Sequence, residues 1–233
     1  MESRITNKFF RVVILLGLLL CHCVVQAQPE FLRNDSLPRS TTIFHANFGY
    51  GVSPSKLGES AWEGIDNKNN SGMTYTLRFT RCSNRSSIGY GIYAFGFTDH
   101  KKHQFSETPL LKENLQIVYV APQFSYIKKE TAFLNGFGLI EFGVGYLNYI
   151  SDTKLPENGN YQTRYNGIGF NADIGYEYVF HRNWGAKLEI GGLFSPIRPR
   201  TYSAIENLPM QMQPRTKINL FLVFLQVGIS CYL

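Results

Sequence analysis

Ile168-Gly-Phe-Asn-Ala-Asp-Ile-Gly-Tyr-Glu-Tyr-Val-Phe180 is the stretch on which the fold turns. Successive side chains of a strand point to opposite faces. One face here carries Ile168, Phe170, Ala172, Ile174, Tyr176, Tyr178 and Phe180, and the other carries Gly167, Gly169, Asn171, Asp173, Gly175 and Glu177. Alternation this regular predicts a strand with an oily side and a small or polar side. Working outward, Phe44 to Val52, Met73 to Arg81 and Ala186 to Phe194 repeat the pattern. Ile88 to Thr98, Ile117 to Ile127, Gly136 to Tyr149 and Ile218 to Leu233 complete a set of eight segments. The connections between them alternate long and short. About 54–71, 99–116, 150–164 and 196–217 are long, whereas Cys82 to Ser87, Lys128 to Thr131 and His181 to Trp184 are short. Tight turns at one rim and large loops at the other are what a membrane-spanning barrel built from hairpins needs. The expected class is all-β, an eight-stranded antiparallel up-and-down transmembrane barrel over residues 42–233. A lipocalin-like soluble barrel with the two faces reversed is the alternative.

The chain has 233 residues, and its first 27 read as an export signal. Arg4, Lys8 and Arg11 precede an apolar run from Val12 to Leu20, and Val25-Gln26-Ala27 offers small residues for cleavage before Gln28. The run is too short to cross a bilayer as a helix, which takes roughly 20 residues. A lipid anchor on Cys21 or Cys23 is disfavoured by the preceding Leu20 and His22. Residues 28–41 then form a short periplasmic segment, and the barrel is expected in the outer membrane. The signal holds three cations against Glu2, so the formal charge falls from +6 to +4 on cleavage. That excess lies mainly in loops, including Lys101, Lys102, Arg198, Arg200, Arg215 and Lys217. It forms no stripe interleaved with stacking aromatics, which argues against nucleic acid as a partner. Outer-membrane lipids and lipopolysaccharide are more natural neighbours. Cys82 and Cys231 are expected on opposite faces of next-but-one strands. Strands lie about 4.7–4.9 Å apart and a disulfide reaches roughly 7 Å between Cα atoms, so no bridge between the two is expected.

Two places break the alternation. Tyr90 and Ile92 share one face of their strand while Phe95 and Phe97 share the other, which predicts a bulge near Tyr93. Phe137 and Leu139 sit on the face that is polar elsewhere in the fifth strand, without explanation from the pattern.

Leu225, Val227, Ile229, Cys231 and Leu233 are apolar and share one face of the last strand. Together with Tyr119-Val-Ala-Pro-Gln-Phe124 and the Gly-aromatic run from Gly136 to Tyr146, they make the chain resemble the small outer-membrane β-barrel proteins. That group includes the OmpA transmembrane domain and OmpW, and the resemblance is to the type common in Bacteroidetes. It implies recognition of the last strand by the barrel assembly machinery, although Leu233 stands where an aromatic residue is usual. It brings no ligand motif and no activity.

An eight-stranded barrel has an interior barely wide enough for side chains. Arg78, Glu141, Asp173, Glu177, Lys187 and Glu189 are all expected to point into it. Isolated buried charge is expensive, so these groups are expected to pair into a salt-bridged plug. A gated path for ions is the alternative. Ile117, Tyr119, Leu147, Leu193, Leu220, Leu222 and Phe224 face inward nearer the outer mouth. They form either a small apolar ligand pocket, as the resemblance to OmpW would imply, or packing beneath the loops. His45 is expected in the lumen and His181 in a short turn. The expected function is structural or surface-binding, with an extracellular ligand met through the long loops, above all Pro196 to Lys217. A narrow conduit for small apolar molecules is the runner-up, and a lipid-modifying enzyme the third reading. No catalytic residues, metal or cofactor are expected. His100 and His103 flank two lysines and lack a third ligand. Gly167-Ile-Gly169-Phe-Asn-Ala172 matches a dinucleotide motif only on paper, because it lies inside a strand and opens no helix.

Overall fold

The computed structural model describes residues 40–54, 69–83, 87–105, 108–128, 136–155, 159–181, 183–202 and 216–233. The export signal, nearly all of 28–41 and the crest of the 196–217 loop lie outside these residues. Eight strands follow in chain order: β1 (Ser40–Pro54), β2 (Asn69–Ser83), β3 (Ile88–Phe105), β4 (Thr108–Lys128), β5 (Gly136–Leu155), β6 (Gly159–His181), β7 (Trp184–Tyr202) and β8 (Ile218–Tyr232). Each pairs antiparallel with its sequence neighbours, and β8 returns to β1, closing the sheet. At the seam Leu233 N donates to Thr42 O at 2.8 Å and Thr42 N to Leu233 O at 3.2 Å. Closure leaves no open edge, the condition for a sheet surrounded by hydrocarbon.

The orientation of the wall follows the alternation. Phe170, Ile174 and Tyr178 are 45%, 60% and 43% exposed, whereas Asn171, Asp173 and Glu177 on the other face are buried. The same sorting holds for Phe48, Tyr50, Met73 and Phe79 outside against His45, Asn47, Thr76 and Arg78 inside. The reversed, soluble arrangement is therefore excluded. Cys82 joins the apolar cluster at the short-turn end of the lumen, Cys231 occupies the alternate face of β8 and is also buried, and no disulfide joins them.

Two sequence expectations are corrected and one irregularity is explained. First, β3 contains no bulge near Tyr93. Its ladder with β2 runs without a break from Met73↔Thr98 to Cys82↔Gly89, so Tyr93, Phe95 and Phe97 all point inward and are buried. The outward positions then hold Ala94, Gly96 and Thr98, and the Tyr75 ring lies against Gly96 where a Cβ would stand. An aromatic ring covering a cross-strand glycine makes the bulge unnecessary. Second, the long connections at 99–116 and 150–164 are mostly paired strand, with ladders reaching Phe105↔Thr108 and Leu155↔Gly159. Beyond the oily belt the alternation persists between polar residues, with Glu113, Ser151 and Thr163 inside and Lys112, Lys154 and Arg164 outside. A search keyed to apolar side chains misses it. Third, Phe137 and Leu139 belong to an apolar cluster at the short-turn end of the lumen, with Ile43, Cys82, Ile127, Val179 and Tyr232.

Candidate functional site

Three tiers occupy the lumen along its axis, and beyond them, between the long hairpins, lies a buried polar group with Asp99, Glu113 and Thr163, in which Ser151 donates to Glu113 at 2.6 Å. The short-turn tier is the cluster around Leu139 and Tyr232 just described. Phe137 meets the Tyr232 ring edge-on with centroids 6.5 Å apart. Asn183 O at the β6–β7 turn accepts from Tyr232 N at 2.9 Å, tying the last strand to that end.

The middle tier is ionic. Strand alternation brings Arg78 inward from β2, Glu141 from β5, Asp173 from β6, and Lys187 with Glu189 from β7. Glu141 and Asp173 stand directly opposite each other in the β5–β6 register, two like charges that need a cation between them. Arg78 supplies it. Its guanidinium donates to Glu141, to Glu189 at 2.6 Å and to Asp173 at 3.0 Å, and it lies 4.7 Å over the Tyr93 ring. A planar fork of five donors can serve three carboxylates and stack on a ring, which an ammonium cannot do. Lys187 Nζ donates to Glu141 and Glu189, each at 2.6 Å. Neutral groups complete the shell: Ser125 donates to Glu141 at 2.8 Å, and Asn171 to Asp173 at 2.7 Å. Tyr119 in turn donates to Asn171 at 3.1 Å. Arg78 and its three acids are at most 1% exposed, so their attraction acts with little solvent screening.

Glu177 lies apart from the Arg78 cluster. It stands opposite Lys187 in register, yet it accepts from the Tyr232 hydroxyl and lies 3.4 Å from His45 Nδ1. The same His45 nitrogen is 2.9 Å from Ser230 Oγ. Ser, His and Glu together suggest a hydrolase relay, but the geometry denies it. A relay needs the serine on one ring nitrogen and the acid on the other. Here both face Nδ1, and Nε2 has no hydrogen-bond partner.

The third tier is apolar and lies toward the long hairpins. All seven residues expected there, Ile117, Tyr119, Leu147, Leu193, Leu220, Leu222 and Phe224, are buried in one cluster. The cluster is larger than expected, because it also takes Tyr93, Phe95, Phe97, Tyr149, Tyr165 and others. Phe95 and Phe224 rings meet at 5.0 Å, Tyr93 and Tyr119 at 6.0 Å, and Tyr149 and Tyr165 at 5.7 Å. These are ordinary separations for packed aromatic pairs. A bulge near Tyr93 would turn Phe95 outward, whereas the unbroken alternation of β3 puts both Tyr93 and Phe95 in this tier. Gly167, Gly169 and Ala172 lie within β6 and open no helix. Among the described residues no group of three or more His, Cys, Asp or Glu is placed to hold a metal ion.

Neither family models nor characterised proteins match this chain. Solved structures do. Neisserial surface protein A is similar with a TM-score of 0.50 at 9% identity, covering 82% of this chain and 96% of that one. A major outer membrane protein from Thermus thermophilus gives a TM-score of 0.50 at 10% identity, covering 81% and 99%. The fold is that of the small eight-stranded outer-membrane β-barrels. Identities this low speak for architecture alone.

Proposed function

We propose that this chain is an outer-membrane barrel with a plugged lumen, acting structurally and through its long extracellular hairpins. The observation that carries the reading is the Arg78 cluster, closed on one side by the Leu139–Tyr232 tier and on the other by the Phe95–Phe224 tier. The belt of exposed Phe, Tyr, Ile and Val around a lumen lined by polar groups supports a place in a bilayer. On this reading the short turns are periplasmic, and the apolar face of β8 addresses the assembly machinery. The long hairpins, above all the stretch from Pro196 to Lys217, are proposed as the contact surface for an extracellular ligand.

The conduit reading rests on the apolar tier beneath the hairpins, whose lining would suit small apolar molecules. Rings in mutual contact favour packing over passage. Purified protein in planar bilayers tests both. The proposal expects no steady conductance and no faster uptake of apolar solutes into liposomes than protein-free controls show. A stable open state would defeat the plug, and selective apolar uptake would establish the conduit.

A further inference from the structure

Charge is sorted across the barrel wall. Among the described side chains Asp99, Glu113, Glu141, Asp173, Glu177 and Glu189 are buried on inward positions, and Asp152 is the single acid on an outward one. The cations run the other way. Only Arg78 and Lys187 are buried, and every other described lysine and arginine is exposed.

Four of the eight exposed described cations, Arg164, Arg198, Arg200 and Lys217, stand together on β6, β7 and just before β8, while Arg81, Lys112, Lys128 and Lys154 are spread over β2, β4 and β5. Arg198 stands beside Asn166, and Ile218 pairs with Ile197, which brings the preceding Lys217 next to Arg198. The β6–β7 ladder then slips: Tyr165 pairs with Pro199 but Arg164 pairs with Thr201, leaving Arg200 as the extra residue. A bulge re-aims side chains. Here Arg198 and Arg200 are both exposed on either side of Pro199, with Arg164 on the adjoining strand. Among the described side chains the acid on the neighbouring strand is Asp152, which accepts from Gln162 Nε2 at 2.6 Å, and Arg164 Nε donates to Gln162 Oε1 at 2.8 Å. The guanidinium termini of Arg164 are not engaged by that bond.

Height along the wall gives the patch its meaning. Ile168 on β6 and Phe194 on β7 are the last large exposed apolar residues before it, each four positions from Arg164 and Arg198 respectively. Four residues of strand rise about 13 Å, less once strand tilt is included. At a tilt of about 35–45° the patch stands roughly 9–11 Å above the belt, just past a headgroup layer of about 5–8 Å a side, and long basic side chains reach back into that layer. Lipid-bound phosphate is the anion found at this depth, and basic clusters beside a membrane span attract it.

We propose that Arg164, Arg198, Arg200 and Lys217 bind the phosphate monoesters of a phosphorylated outer-leaflet glycolipid of the lipid A type. The guanidinium groups take phosphate oxygens in forked pairs while the acyl chains lie along Ile168 and Phe194. This rests on the membrane reading given above and adds the lipid class and the face that holds it.

The test uses full-length protein in neutral detergent and native mass spectrometry. Bisphosphorylated lipid A is compared with the same lipid stripped of phosphate, with inorganic phosphate as competitor. Expected are at least about tenfold tighter binding of the phosphorylated lipid, weakening with salt, and no displacement by inorganic phosphate. R164Q/R198Q/R200Q should abolish the preference, and R81Q/K128Q at the opposite rim should keep it, both variants retaining heat-modifiable gel migration. If the triple variant fails to fold, the salt dependence of the unmodified protein decides. Equal binding of the stripped lipid, a preference surviving in the triple variant, or displacement by inorganic phosphate would each overturn the proposal. Recovery of the protein from the soluble periplasm would sink the membrane reading itself. Loss of phosphate preference in a membrane-embedded barrel would sink this proposal alone.

Discussion

Replacing Arg78 by Met removes the one group that touches Glu141, Asp173 and Glu189 together. The shape of the side chain is nearly kept, so the loss is electrostatic. Lys187 remains for Glu141 and Glu189, but Asp173 is left with Asn171 as its donor. Breaking a buried ion pair from one side costs about 3–5 kcal/mol, because the other charge stays buried without its partner. At roughly 1.4 kcal/mol per tenfold, that is two to three and a half orders of magnitude in the unfolding equilibrium. The assay is reversible urea unfolding in lipid vesicles, read by tryptophan fluorescence and by gel mobility. R81M, an exposed cation on the same strand, is the control. R78M/D173N should recover part of the loss, since the second change withdraws the stranded charge. The reasoning fails if R78M unfolds at the same urea concentration as R81M.

Three further outcomes follow from the same structure. Phe224→Ala, in the cluster with Phe95, should cost about 3–5 kcal/mol in the same titration, and a smaller loss would mean the outer tier is loosely packed. Ile174→Arg, on the 60% exposed outer face, should destabilise by about 2–4 kcal/mol in vesicles, as charge at mid-bilayer depth does. A neutral result would place Ile174 outside the hydrocarbon. Gly96→Val should cost about 1–3 kcal/mol by displacing the Tyr75 ring, while Gly138→Ala, with nothing within 4 Å of the added carbon, should be tolerated. Equal midpoints for the two would show that the ring is not seated on Gly96.

The wall was legible because lipid imposes one rule on every strand, and Ile168 to Phe180 obeys it almost without exception. Where the rule breaks, its second half is at fault: the inside of this barrel is not uniformly polar. Phe95, Phe97, Phe137 and Leu139 face inward because each end of the lumen is packed with apolar side chains, and a pattern of oily-out, polar-in cannot anticipate that. The ionic residues were readable one by one from alternation. Their partnerships were not, because shear between strands decides which of them meet. Register places Glu177 opposite Lys187, yet its contacts are Tyr232 and His45. The hairpin lengths were misjudged for a different reason. Ser151, Thr153 and Thr163 continue the ladder with hydroxyls, which backbone pairing accepts as readily as valine.

Having a greasy stopper at each end makes the cylinder behave like an airlock. On the proposed plugged reading a solute crosses only when both doors stand open together and the Arg78 tier between them yields, so opening probabilities multiply. If each opened independently about one time in a thousand, roughly 4 kcal/mol apiece, the coincidence would come near one in a million. Loosening one door alone, by Phe224→Ala or by Leu139→Ala, should leave the membrane electrically tight, because the other door and the Arg78 cluster stay shut, and leakage should emerge only when both changes are combined with loss of that cluster.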